Sequence, residues 1–155
     1  MKKITFVLLA MLVIAVAGMA GCIDKGGIDL PKLTEIESYK PTKLPEGVRE
    51  VKCEITPAGY GSKYGEPDIE RMMMVDYESS IIEKPFNMIS LTVIEYKSEE
   101  AARQEFEKYE KYVSERGKAN EDKFIDGRFI IVIRWMRSIL KPDVDSMLEH
   151  IKGVK

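Results

Sequence analysis

From Ile4 to Gly21 the chain carries no charge, and this run divides what must meet a membrane from what must fold in water. As a helix it extends about 27 Å at 1.5 Å per residue, close to the hydrocarbon thickness of a bilayer. Met1-Lys2-Lys3 precede it, and the small residues Gly18, Ala20 and Gly21 close it. A basic start, an apolar middle and small residues before a cut is the layout of a secretory signal. Two fates follow from the residues alone: retention as a transmembrane anchor, or cleavage after export. Lys2 and Lys3 place the start in the cytoplasm and the remainder outside.

A third fate comes from Cys22. Met19-Ala20-Gly21-Cys22 resembles the lipobox of prokaryotic membrane lipoproteins, with Met where Leu is commonest. The resemblance implies that Cys22 is lipidated and becomes the first residue of the mature chain. It further implies a cell-membrane location, lipid-anchored, with the domain on the extracytoplasmic face. It reaches no further than residue 22 and assigns the C-terminal domain to no family.

Removing residues 1–21 leaves about 130 residues, enough for one modest domain with a real core. The formal charge is −2 and includes Lys2 and Lys3, so the remainder is more acidic still. That balance argues against nucleic acid as a partner and against a basic membrane-binding surface. Cys22 and Cys53 are the two cysteines and His150 the one histidine, too few for a zinc finger. If Cys22 carries lipid there is no intramolecular disulfide; without lipid, a Cys22–Cys53 bridge is the alternative.

The expected organisation is a signal peptide over 1–21, a lipid-anchored spacer over 22–46 and a small domain over 47–155. Gly26-Gly27, Pro31, Pro41 and Pro45 punctuate the spacer. A flexible chain of that length holds a domain about 25 Å from its anchor. Ile28, Leu30, Leu33 and Ile36 offer the alternative of docking on the domain.

Within the domain, Val51, Cys53 and Ile55 alternate with charged residues, as in a strand with one buried face. Arg71 to Tyr77 reads as a strand with Met73, Val75 and Tyr77 on one face, and a helix from Asp68 is the runner-up. Met88 to Tyr96 is a third strand. Ser98 is an N-cap for a helix with Glu99 and Glu100 in its first turn. Ala102, Phe106, Tyr109 and Val113 form its apolar stripe, and Gly117 stops it. Glu99/Arg103, Arg103/Glu107 and Glu107/Lys111 stand at i,i+4 on the outer side. Asp126-Gly127 suits a type I′ hairpin turn. Phe129 to Met136, apolar on both parities except Arg134, reads as a central strand, with Trp135 in its packing. Pro142 opens a last helix carrying Val144, Met147, Leu148 and Ile151, closed by Gly153. The order β-β-β-α-β-β-α predicts an α+β fold: an antiparallel sheet of about five strands with two helices packed on one face.

Chemistry is thinly signalled. Gly59, Gly61 and Gly65 miss the spacing of a nucleotide loop, and Pro67 sits where its helix should start. The same loop carries Tyr60, Lys63 and Tyr64, aromatic and cationic groups that make a candidate ligand-contact site. Met72-Met73-Met74 suggest a soft-metal site until alternation is applied, since neighbouring strand residues face opposite ways. No catalytic constellation, cofactor or metal is expected; Asp76 or Glu95 joining His150 in space is left open. The expected function is a lipid-anchored accessory, sensory or binding domain for an unknown small molecule or envelope protein. A membrane-tethered hydrolase with dispersed carboxylates and a structural envelope component are the alternatives.

Overall fold

The computed structural model describes residues 35–57, 68–117 and 119–154, with the backbone of Ile23 and Asp24. Five antiparallel strands form one open sheet: β2 (Val48–Pro57), β3 (Ile69–Ser79), β4 (Met88–Tyr96), β5 (Glu121–Asp126) and β6 (Phe129–Trp135). Their order is β2-β3-β4-β6-β5, and β1 (Ile23–Asp24) adds two residues parallel to β2 at its outer edge. Helix α1 (Glu99–Arg116) joins β4 to β5, and α2 (Lys141–Leu148) follows β6. The α+β class and the antiparallel sheet agree with the sequence. Among the described residues no helix is long and apolar enough to cross a membrane.

The two helices lie on opposite faces, not on one as expected. Ile131 and Ile133 pack in one core with Val144, Met147 and Ile151, whereas Ile130 and Val132 pack in another with Ala102 and Phe106. Adjacent residues of a strand point to opposite faces, so the two cores cannot share a side. The continuous apolar run of β6 is the sequence trace of this arrangement. A central strand covered on both faces needs both parities apolar.

The larger core lies beneath α2. It gathers Ile55, Met73, Val75, Ile89, Leu91 and Val93, each 0% exposed, from three neighbouring strands. Each such side chain contributes about 1.5–3 kcal/mol by leaving water. Ile36 and Tyr39 complete this core at 0% and 2% exposure. Domain packing therefore starts before residue 47, and the spacer assigned to 22–46 is a spacer in neither of its described parts. Residues 23–24 pair with β2, and Thr42 donates its N–H to His150 O at 3.0 Å. Ile36 supplies the physical reason, as an apolar side chain that finds a sheet to cover. The stretch 25–34, with Ile28, Leu30 and Leu33, lies outside the described residues.

Local differences have local causes. The register of β2 against β3 shifts between Glu50 and Lys52. The bulge turns Val51 outward to 42% exposure, breaking the expected row with Cys53 and Ile55. The strand reading of 71–77 prevails over the helix, and alternation separates the methionines: Met73 is buried and Met74 is 42% exposed. Helix α1 is capped as expected, with Ser98 Oγ accepting from Ala101 N at 3.2 Å. Its described ion pairs are i,i+3, Arg103 with Glu100 and Lys108 with Glu105, rather than the i,i+4 set. Helix α2 ends at Leu148, short of Gly153.

The β5–β6 turn is not type I′. Asp126 pairs with Phe129, so the two loop residues are Gly127 and Arg128. Gly127 has φ +57° while no described non-glycine residue has positive φ, which gives the type II′ pattern with glycine first. Asp126 stays in the strand, where its carboxylate takes a hydrogen bond described below.

Candidate functional site

One row across the sheet departs from the apolar pattern. Pro57, Arg71, Glu95 and Phe129 are successive register partners on β2, β3, β4 and β6, and Phe129 pairs on with Asp126 of β5. Arg71 shares its parity with Met73, Val75 and Tyr77, and Glu95 shares its parity with Ile89, Leu91 and Val93. Period two thus sends both charges toward the core side. Arg71 is 2% exposed and Glu95 0%.

Arg71 Nε donates to Glu95 Oε2. Arg128 Nη2, carried by the hairpin turn, stands 2.7 Å from Glu95 Oε1, and reaches Glu35 Oε2 at 3.2 Å. Glu95 therefore lies between two guanidinium groups, one buried and one at the surface. Beside it Tyr39 packs on Phe129 with ring centroids 4.8 Å apart, and its hydroxyl donates to Asp126 Oδ2 at 2.9 Å. Burial, then the Asp126 carboxylate, pushes the Tyr39 hydroxyl far above its ordinary range. Gly153 makes the last contact possible. A Cβ there would lie 2.7 Å from both Cβ and Oδ2 of Asp126, so the C-terminal turn closes on the hairpin only through a glycine.

The row is incomplete. Nη1 and Nη2 of Arg71 are shielded from solvent and reach no acceptor among the described residues. Each buried donor left unmade costs about 1–3 kcal/mol, and more when charged. A buried ion pair seldom repays its desolvation through attraction alone. Attraction within the pair therefore does not account for the two nitrogens left without a partner. Proton transfer fits less well. Cations stand beside both oxygens of Glu95, Arg71 at Oε2 and Arg128 at Oε1, so neither faces an open site.

The loop carrying Tyr60, Lys63 and Tyr64 lies outside the described residues, as does Cys22. Its ends are placed: β2 stops at Pro57 opposite Arg71, and Lys97 N donates to Asp68 O at 2.8 Å. The loop thus leaves and rejoins the sheet at the Arg71 end. His150 is brought to Thr42 and not to Asp76 or Glu95; Asp76 accepts from Ser90 Oγ at 2.6 Å on the other face. No group of three His, Cys, Asp or Glu able to hold a metal occurs among the described residues. Sequence reading passed over Arg71, Arg128, Tyr39 and Asp126 as site residues. A charge on the buried parity of two adjacent strands was the available signal.

Two open grooves flank the β5–β6 hairpin. One, of about 310 Å³, runs between α1 and the turn and includes Arg103, Phe106 and Gly127; the other, of about 380 Å³, includes Lys123, Phe124 and Asp126. Arg103 is already paired with Glu100, and Lys123 lies 4.6 Å over the Tyr109 ring. Their charges are spoken for within the fold.

Cys53 is 7% exposed and disulfide-bonded, and the sequence contains one other cysteine, Cys22. Comparison with protein-family models, with curated proteins and with solved structures finds no match for the chain.

Proposed function

We propose that this chain is a lipoprotein of the extracytoplasmic face of the cell membrane, whose α+β domain acts by binding. The observation that carries the binding reading is the covered Arg71 guanidinium, two of whose nitrogens have no hydrogen-bond partner among the described residues. The lipobox-like Met19-Ala20-Gly21-Cys22 supports the location. Ile23 and Asp24 pair with β2, so a lipid on Cys22 would hold the outer sheet edge close to the bilayer rather than on a long tether.

The Cys53 disulfide favours a second reading of the anchor. Such bonds persist in oxidising compartments, which fits export on either reading. A sulfur in a disulfide cannot also carry a thioether, however, so lipidation of Cys22 and a bond to Cys22 exclude each other. On the second reading the segment before Cys22 is a retained transmembrane anchor or a plain export signal.

Intact-mass analysis of the membrane form, with and without alkylation after reduction, separates the two. Lipoprotein maturation predicts loss of residues 1–21, added lipid mass and release of the Cys22→Ser variant from the membrane. Each buried lipid CH₂ contributes about 0.8 kcal/mol and one short chain holds only marginally, so stable retention implies two chains. A mass without added lipid that gains two alkyl groups only after reduction establishes the second reading, and the presence or absence of residues 1–21 tells a retained anchor from a plain export signal.

A further inference from the structure

We propose that the exposed apolar end of the sheet, where β3 passes to β4 and β6 runs out, lies against the lipid bilayer that holds the chain. This depends on the membrane location proposed above and not on the role of Arg71. Ile81, Phe86, Met136 and Ile139 are 51%, 41%, 50% and 50% exposed. They are gathered rather than scattered. Met136 N donates to Met88 O at 3.2 Å, and the Arg137 guanidinium stands 4.5 Å from the Phe86 ring centroid. Ile81 N donates to Ser79 Oγ at 3.2 Å, and Ser79 N donates to Asn87 O at 3.0 Å. Large apolar side chains collected at one place mark a contact surface, where single ones do not.

The direction of β1 identifies the occupant. It pairs parallel to β2, Ile23 with Glu54 and Asp24 with Ile55, so Ile23 is its residue nearer the Val48 end of β2. Val48 pairs with Ser79, and Ser80 N donates to Gly47 O at 3.0 Å, which sets that end of β2 beside the β3–β4 connection. The chain before Ile23 thus joins the sheet from the side of the apolar end, and it consists of the uncharged run Ile4 to Gly21 with Cys22 after it. Val51, 42% exposed, stands on the same outer strand between the two points. A lipid on Cys22, or a transmembrane helix ending at Gly21, would bring the bilayer to this corner of the sheet. Tethering makes the encounter intramolecular, so a patch too small to hold a free domain suffices to orient a tethered one. Charge is close to balanced at this end. Arg49 and Lys84 both pair with Glu78, at 2.8 and 2.5 Å, while Glu46 and Glu83 are exposed. Arg137 pairs with no carboxylate among the described residues and caps the Phe86 ring. The contact is therefore apolar insertion at the interface, with Arg137 at headgroup level, and it needs no anionic lipid.

The test places the full-length chain in phosphatidylcholine nanodiscs that contain a small fraction of lipid with a headgroup nitroxide. Broadening of backbone amide signals is followed by NMR. The Gly127–Arg128 turn is the reference, because at about 3.3 Å per residue along β6 it lies more than about 20 Å from Met136. The expected result is broadening at Ile81, Phe86, Met136 and Ile139 at least about fivefold stronger than at that turn, and no stronger when phosphatidylglycerol is added. Phe86→Ser combined with Ile139→Ser should bring the two ends to within about twofold of each other. Equal broadening at both ends of the native chain, or stronger broadening at the turn, overturns the proposal without any variant. A preference unchanged in the double variant overturns the apolar contact and leaves orientation to the tether alone. Shifts of the same four amides that follow protein concentration in discs free of nitroxide assign the surface to a second copy and overturn the bilayer as occupant. Co-elution with the discs tests the membrane location separately: a bound chain with equal ends fails this inference alone, and an unbound chain fails both.

Discussion

The two ends of the sheet depart from ordinary burial in opposite directions. At the end where β2 passes to β3, Arg71 and Glu95 are covered. At the other end, where β3 turns into β4 and β6 runs out, Ile81, Phe86, Met136 and Ile139 are each 41–51% exposed. Ser79 Oγ donates to Asp143 Oδ2 at 2.5 Å and Met136 N to Met88 O at 3.2 Å, which bring the connections of that end together. Arg137 lies 4.5 Å from the Phe86 ring centroid. Exposed apolar side chains are normal on a surface and cost little. Covered charges are not normal, and their removal is costly in one direction only. The lesson is that the charged end is the one that departs from ordinary packing, although the apolar end is the more conspicuous on the surface.

The comparison breaks most sharply at Glu95. Glu95→Leu leaves Arg71 covered without its carboxylate and should cost about 3–5 kcal/mol in urea denaturation. A loss below about 1 kcal/mol would mean that Arg71 finds another partner. Next in size is the turn that carries Arg128. Gly127→Val places a β-branched residue at φ +57° and should cost about 1–3 kcal/mol. The nearest heavy atom to a Cβ there is Glu99 Oε1 at 3.5 Å, so the expected loss is backbone strain and not a clash.

Tyr39→Phe removes the hydrogen bond to Asp126 and should cost about 1 kcal/mol. It also changes the response to alkali. Tyr39 holds its proton more tightly folded than at the ordinary value of 10.0. Its contribution to stability is thus complete below pH 10 and is lost as pH rises toward its folded value. The native domain should lose stability above that pH, and Tyr39→Phe should lose less; equal slopes would contradict the burial of the hydroxyl. The smallest effect belongs to the apolar end. Ile139→Ser should shift stability by no more than about 0.5 kcal/mol, because half of the side chain is already in water.

Much of the architecture was legible because it obeys short-range rules. Ser98 and Gly117 bracket α1, and the parities of β3 and β4 predict which of their residues are buried. Helix placement was not legible from helix patterns, since an apolar stripe says that a face is covered and not which one. The answer lay in β6, whose Ile130 to Ile133 run requires a layer on each side. Asp126-Gly127 misled because the dipeptide suits type I′, while Asp126 is held in the strand by Tyr39, a residue 87 positions away. The site was half visible: Arg71 and Glu95 stand on buried parities in the sequence. Their meeting depends on the β3–β4 register, and Arg128 joins them only through the turn geometry.

The central claim is that the covered pair is kept for binding and not for stability. Its most direct test is the unfolding free energy of the double variant Arg71→Met, Glu95→Leu, with Arg128 left to Glu35. Replacing a buried ion pair by apolar residues of similar volume is often neutral or stabilising by about 1–4 kcal/mol. The account predicts that the double variant is at least as stable as the native domain. A loss as large as that of Glu95→Leu alone would contradict it and make the row a structural element.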